Sequence, residues 1–128
     1  MLHSAPFSLA TTDHLRRARI VNSRPQPGEQ AEYFPTLPEP PKSYALVSML
    51  AGLDGAHQIL VIGGLDTSST AAAAEYLVSR ERAGELLKRL RAAAPNHEGP
   101  FRFQVVLETD VRDTVALRAF PVALRILP

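Results

Sequence analysis

The sequence predicts one domain of the α/β (α+β) class, with two consecutive helices packed on a mixed β-sheet of about four main strands. Three observations predict this class. They are apolar runs starting at Tyr44 and Ile59, an alanine-rich and then amphipathic stretch, and a segment of alternating polarity from Phe101. The predicted order is β-β-α-α-β-β, and it follows an irregular, proline-rich N-terminal third.

Two short apolar runs predict the first pair of strands. Residues 44–51 are apolar at both odd and even positions, which is typical of a strand covered on both faces. A turn follows at Asp54-Gly55, where both residue types favour turns. Residues 59–62 form a second apolar strand, which we expect to stop at Gly63-Gly64.

Two helices are predicted at 66–78 and 80–94. The first contains four consecutive alanines behind a polar start. The second carries its apolar residues on one face, and Pro95 with Asn96 ends it. The chain reaches the strand at 101 by crossing over through these two helices.

The last two strands form a predicted hairpin. Apolar and polar side chains alternate through residues 101–111, and the polar positions include Gln104 and Glu108. We interpret the polar positions as a wet sheet face or a paired edge. The return strand at 115–127 contains Pro121, which predicts an edge strand or a bulge there.

The N-terminal third divides into two predicted segments ahead of the core at 43–128. Residues 1–18 are an arm, in which Thr12–Arg19 is the best candidate for a short helix. Residues 19–42 are a strap with a short edge strand near Arg19–Asn22, and the six prolines between 24 and 42 exclude a regular element there. Because the strap also carries aromatic residues, we expect it to pack on the core with Tyr33 or Phe34 in an apolar groove.

Composition excludes several classes of protein. The chain has 128 residues, 45% hydrophobic, with a formal net charge of +1 and no cysteine. Disulfides, thiolate metal sites and cysteine nucleophiles are therefore excluded, and the charge creates no field that would gather nucleic acid. The apolar runs are too short to span a bilayer and the start lacks a signal pattern, so we expect a cytoplasmic protein without a membrane partner.

The segment where the second strand meets the first helix is the predicted ligand-binding region. Helix N-termini at strand ends offer free amides, and glycines leave the backbone accessible. The candidate residues of this corner, which we call the strand–helix corner, are Gly63, Gly64, Asp66, Thr67, Ser68 and Thr70. The motifs of a P-loop and of a dinucleotide fold are both missing from it.

Asp66 leaves two interpretations of the strand–helix corner open. As a ligand contact it would disfavour phosphate and favour a neutral or hydroxylated small molecule. As an ordinary N-cap it would leave the corner purely structural. A nucleophile or metal ligand is disfavoured because no second acidic residue lies close by, and the four histidines have no pairwise spacing typical of a metal site. We predict no cofactor, no metal and no catalytic residue.

Several spaced segments together resemble one group of bacterial proteins. They are Val21–Glu29, Tyr44–Leu46, Gly63–Thr67, Ala73–Leu77 and Phe103–Leu107. Across residues 20–127 the chain resembles the C-terminal domain of poorly characterised bacterial regulators, which carry a winged-helix or helix-turn-helix DNA-binding domain in front. A glycine common near the start of the first helix in that group is Ser69 here. The resemblance implies a sensor or assembly domain that meets DNA only through a separate domain.

Two classes of function follow from these observations. The first is a non-enzymatic regulatory, sensor or assembly domain, which binds a small molecule at the strand–helix corner or associates with itself. The second is a small enzyme of unknown reaction acting at the same corner, which a histidine or arginine beside Asp66 would favour. The first is preferred because the sequence contains no recognisable acid–base pair. The strands at 101–111 and 115–127 further suggest a homodimer.

Overall fold

The computed structural model describes residues 5–11, 18–35, 42–54, 56–112 and 115–128. These residues form two antiparallel sheets and two helices, and the α+β class and the core order β-β-α-α-β-β are confirmed. The elements are β1 (Phe7–Thr11), β2 (Ala18–Asn22), β3 (Glu32–Tyr33), β4 (Lys42–Ala51), β5 (Gln58–Gly64), α1 (Thr67–Val78), α2 (Arg80–Ala93), β6 (Phe103–Arg112) and β7 (Val115–Ile126).

The larger sheet has the strand order β5-β4-β6-β7, and each neighbouring pair is antiparallel. The prediction of a mixed sheet, with parallel as well as antiparallel pairs, is therefore wrong for these strands. The crossover through α1 and α2 carries the chain past β4, so β6 pairs with β4 instead of lying beside β5. Strands β5 and β6 run in the same direction but are separated by β4.

One face of the larger sheet is covered by the two helices. The buried residues of this core come from alternate positions of β4 and β6 and from the inner faces of α1 and α2. They include Val47, Val105, Leu107, Tyr76 and Leu90. Neither helix within the described ranges is both long and apolar enough to cross a bilayer.

The opposite face of the larger sheet is covered by a second sheet with the order β1-β2-β3. Phe7, Ile20 and Tyr33 from the smaller sheet pack in one buried cluster with Tyr44 and Val106 of the larger. Strands β4 and β6 are thus covered on both faces, as the apolar run at 44–51 predicts.

The polar face of β6 is buried, so its interpretation as a wet sheet face is wrong. Gln104 is only 2% exposed, and its side-chain amide bonds both backbone groups of Phe7, at 3.0 and 2.9 Å. Glu108 is also buried and accepts a hydrogen bond from the Tyr44 hydroxyl at 3.1 Å. The N-terminal third supplies the cover, and Phe7 within it bonds Gln104, which also donates to the Ser48 hydroxyl of β4 at 3.1 Å. These partners permit polar side chains in this layer.

The N-terminal third contains more strand than predicted. Strand β2 includes the predicted Arg19–Asn22, but it is the central strand of its sheet and not an edge. The two-residue β3 lies inside the proline-rich stretch, where no regular element was expected. Tyr33 is buried, whereas residues 12–17 and 36–41, with most of the candidate helix, lie outside the described residues. The division into arm, strap and core stays a prediction.

Strand β7 is an edge strand with an irregularity at its proline, as predicted. Pro121 lies opposite Leu107 while Ala123 lies opposite Val106, so Val122 is an extra residue in the ladder. A second register shift lies between Asp110 and Val111 of β6. Proline lacks the N–H that a further strand would require at this position.

A partly buried ion pair ties the proline-rich segment to β7. A turn at Gln26–Glu29, with Gly28 at a φ of 85°, presents Glu29 to the guanidinium of Arg125. The Asn22 side-chain amide donates to the same carboxylate at 3.0 Å. The hydrogen bond from Arg125, with smaller help from Gln26 and Asn22, holds the pKa of Glu29 at about 2 against an ordinary value of 4.5.

We expect Glu29→Gln to lower the free energy of unfolding at neutral pH and to have little effect near pH 2. A carboxyl with a depressed pKa contributes stability above its ordinary pKa of 4.5, and that stability is lost as the pH falls towards about 2. Denaturant unfolding of both proteins across this range measures the difference. Glu75→Gln, at an exposed position of α1, is the control and should change stability little at any pH. An equal loss for Glu29→Gln at both ends of the range would contradict the account.

Candidate functional site

The strand–helix corner is built by hydrogen bonds among its own residues. Asp66 is the N-cap of α1, and its carboxylate accepts from the Ser69 N–H at 2.7 Å. The Thr70 hydroxyl accepts from the Gly64 N–H at 2.9 Å and donates to the Asp66 carbonyl at 3.0 Å. Of the six predicted site residues, the structure thus joins Gly64, Asp66 and Thr70 in one network.

The two glycines of the corner lie where side chains would collide with neighbouring elements. A Cβ on Gly64 would lie 2.4 Å from the backbone nitrogen of Thr70. A Cβ on Gly63 would lie 2.5 Å from Cδ1 of Leu9 on β1. Because its neighbour is backbone, Gly64 allows the close packing of α1, whereas the neighbour of Gly63 is the tip of a side chain that is 49% exposed.

Buried hydroxyl groups lie beneath the corner, between α1 and the larger sheet. Ser69 and Thr109 are fully buried, and their hydroxyl oxygens lie 2.9 Å apart. Ser43 faces Thr109 across the sheet, and its buried hydroxyl has no hydrogen-bond partner in the described part of the chain. Thr67 is exposed and Ser68 is partly buried, so these two predicted site residues stand at the surface above the network.

The histidines within the described ranges lie at the other end of the sheet. His57 and His97 line an open cleft of about 360 Å³ near the start of β5 and the end of β7, together with Arg102. The His57 ring pairs with Asp54, which lowers the pKa of that carboxyl, and both side chains are exposed. No group of three or more ligating side chains among the described residues is arranged for a metal ion. Within the described part of the chain, Asp66 forms no ion pair with a histidine or arginine.

The outer edge of β5 is a feature that the sequence did not identify. The Leu65 N–H donates to the Tyr44 carbonyl, and the Gly52 N–H donates to the His57 carbonyl. The backbone groups of residues 57 and 65, and of every second residue between them, therefore point towards β4. Bonded pairs alternate in an antiparallel ladder, so the N–H and C=O groups of Gln58, Leu60, Ile62 and Gly64 point outwards. The outward N–H of Gly64 is already bonded to Thr70.

Apolar side chains accompany these outward backbone groups. Ile59, Leu60 and Val61 are each 46% exposed, and β5 contains no charged residue and no proline. Its pairing with β4 runs through seven residues without a register shift. The other edge of the same sheet differs, because β7 carries Pro121, an extra residue and the charged Arg118. Charges, prolines and bulges are the usual means by which proteins block edge strands, and β5 has none of them.

Comparisons with protein families, with functionally described proteins and with solved structures give no match for this chain.

We expect Asp66→Ala to destabilise the protein by about 1 kcal/mol, because it removes the acceptor that caps α1. Asp66→Asn keeps a capping side-chain oxygen and should stay within a few tenths of a kcal/mol of the parent, on the order of the spread among good caps. Urea unfolding of the three proteins gives the comparison. Equal stability of the parent and Asp66→Ala would mean that the hydrogen bond from the Ser69 N–H to Asp66 does not stabilise the corner.

Proposed function

We propose that this chain is a non-enzymatic regulatory and assembly domain of the cytoplasm, which associates with a second copy of itself. The observation that carries the proposal is the difference between the two edges of the larger sheet. β7 is blocked by Pro121 and its extra residue, while β5 presents outward backbone groups and half-exposed apolar side chains. An edge of the second kind pairs readily with another strand.

Because β6 is buried, we propose the outer edge of β5, instead of β6, as the dimer contact. The sequence suggested contact through 101–111 and 115–127, but Val105, Val106 and Leu107 have no exposed surface. Residues that are covered on both faces inside one chain have no surface to offer a second. Strand β5 remains as the apolar edge of the larger sheet within the described residues.

A small molecule at the strand–helix corner is the less supported part of this function. The hydrogen bonds of Asp66, Ser69 and Thr70 account for these residues without a ligand. An enzyme acting at the same corner was expected to place a histidine or arginine beside Asp66, and no ion pair of that kind forms among the described residues. The proposal therefore rests on association, and it keeps the implication of the resemblance that DNA is contacted through a separate domain.

Leu60→Lys should convert the protein from a dimer to a monomer. The substitution places a charge at the centre of the outward-facing segment, which is how natural edge strands resist pairing. Light scattering during gel filtration, over a range of protein concentrations, measures the mass. Val78→Lys is the matched control, because Val78 is 84% exposed, ends α1 and is not part of β5, and its replacement should leave the dimer intact.

Two results would contradict the proposal. One is a parent protein that stays monomeric at the highest accessible concentration. The other is a dimer that survives Leu60→Lys unchanged, since that dimer would use a different surface.

A further inference from the structure

We infer that two copies join by antiparallel pairing of β5 with β5, about a two-fold axis that passes through Leu60, and that Thr70 disfavours a register shifted towards Gly64. The inference rests on the proposed function, and it specifies which strand of the second copy binds and in which alignment. It would make one continuous sheet from the two larger sheets, with β5 no longer an edge.

The backbone supports this alignment. With Leu60 opposite Leu60 of the second copy, Gln58 faces Ile62, and each of these residues has its N–H and C=O pointing outwards. Every outward group from Gln58 to Ile62 then finds a partner in the other copy. A two-fold axis makes the arrangement closed, so the contact ends with two chains.

The side chains support the same alignment. Ile59 and Val61 face each other across the axis, and Leu60 faces itself, so the three equally exposed residues meet only one another. Ile59 and Val61 lie on the face that carries the smaller sheet, and Leu60 lies on the helix face, because cross-strand partners share a face. Both faces are therefore apolar at the centre of the new contact, and the polar Gln58 lies at its two ends, opposite Ile62. No charge of β5 opposes the approach of an identical strand.

Thr70 disfavours the register that is shifted towards Gly64. A pair shifted to place Val61 on the axis would bring Gln58 of one copy opposite Gly64 of the other, and it would need the Gly64 N–H. That N–H is bonded to the Thr70 hydroxyl, at the first turn of α1. The pairing centred on Leu60 leaves this bond in place, since it ends at Ile62.

Disulfide formation between single cysteines tests the register, because the chain has no cysteine of its own. Leu60→Cys and Val61→Cys are matched, since both positions are 46% exposed. Facing residues of a bonded pair have Cα atoms about 5.5 Å apart, which a disulfide can bridge. Two residues at position 61 would be diagonal neighbours, about 7–8 Å apart, which is beyond the usual disulfide range.

We expect mild oxidation to link Leu60→Cys into covalent dimers at least several-fold faster than Val61→Cys. Adding Thr70→Val, which removes the hydroxyl, should raise the rate for Val61→Cys by freeing the Gly64 N–H. Light scattering of the reduced variants should find each of them dimeric before oxidation. Leu53→Cys, in the exposed turn before β5, should not link.

The outcomes separate the inference from the function on which it rests. Equal rates for the two variants, or no link at position 60 in a dimer that Leu60→Lys disrupts, would overturn the register and leave assembly through β5 standing. A parent protein that is monomeric, or a dimer indifferent to Leu60→Lys, would overturn both.

Discussion

The burial of β4 and β6 on both faces is the constraint on which the rest of this structure depends. A strand whose odd and even side chains are both apolar needs two covers, and a pair of helices can supply only one. The N-terminal third supplies the other by folding back as a three-stranded sheet. Gln104 joins the layers, because its amide bonds the backbone of Phe7 as another strand would.

This double cover determines where the protein can meet a partner. Helices lie over one face and the smaller sheet over the other, so the remaining apolar backbone surface of the larger sheet is at its edges. One edge carries Pro121 and an extra residue, and the other is the regular, uncharged β5. Thr70 limits that second edge, since its hydroxyl occupies the Gly64 N–H and α1 begins beside it. In the proposed dimer, the strand–helix corner would therefore limit the register of pairing, and Asp66 caps the first turn of the helix there.

The sequence predicted what depends on local pattern. The order of the core elements, the cap at Asp66, the edge position of β7 and the double cover of β4 all follow from residue types and spacings, and the structure confirms them. The polar face of β6 was misinterpreted because Phe7, whose backbone bonds Gln104, lies 97 residues away in the chain. The exposed edge of β5 was missed because strand order is a tertiary property. Nothing in the residues 58–64 distinguishes a central strand from an edge.

Amide hydrogen exchange at single residues tests the central claim, that the outer edge of β5 is where two copies meet. The account predicts that the Leu60 and Ile62 amides become protected as the protein concentration passes through the range where the mass doubles. The Gly64 amide should be protected at every concentration, because Thr70 bonds it within one chain. Exchange at Leu60 and Ile62 that stays the same while the mass doubles would contradict the account.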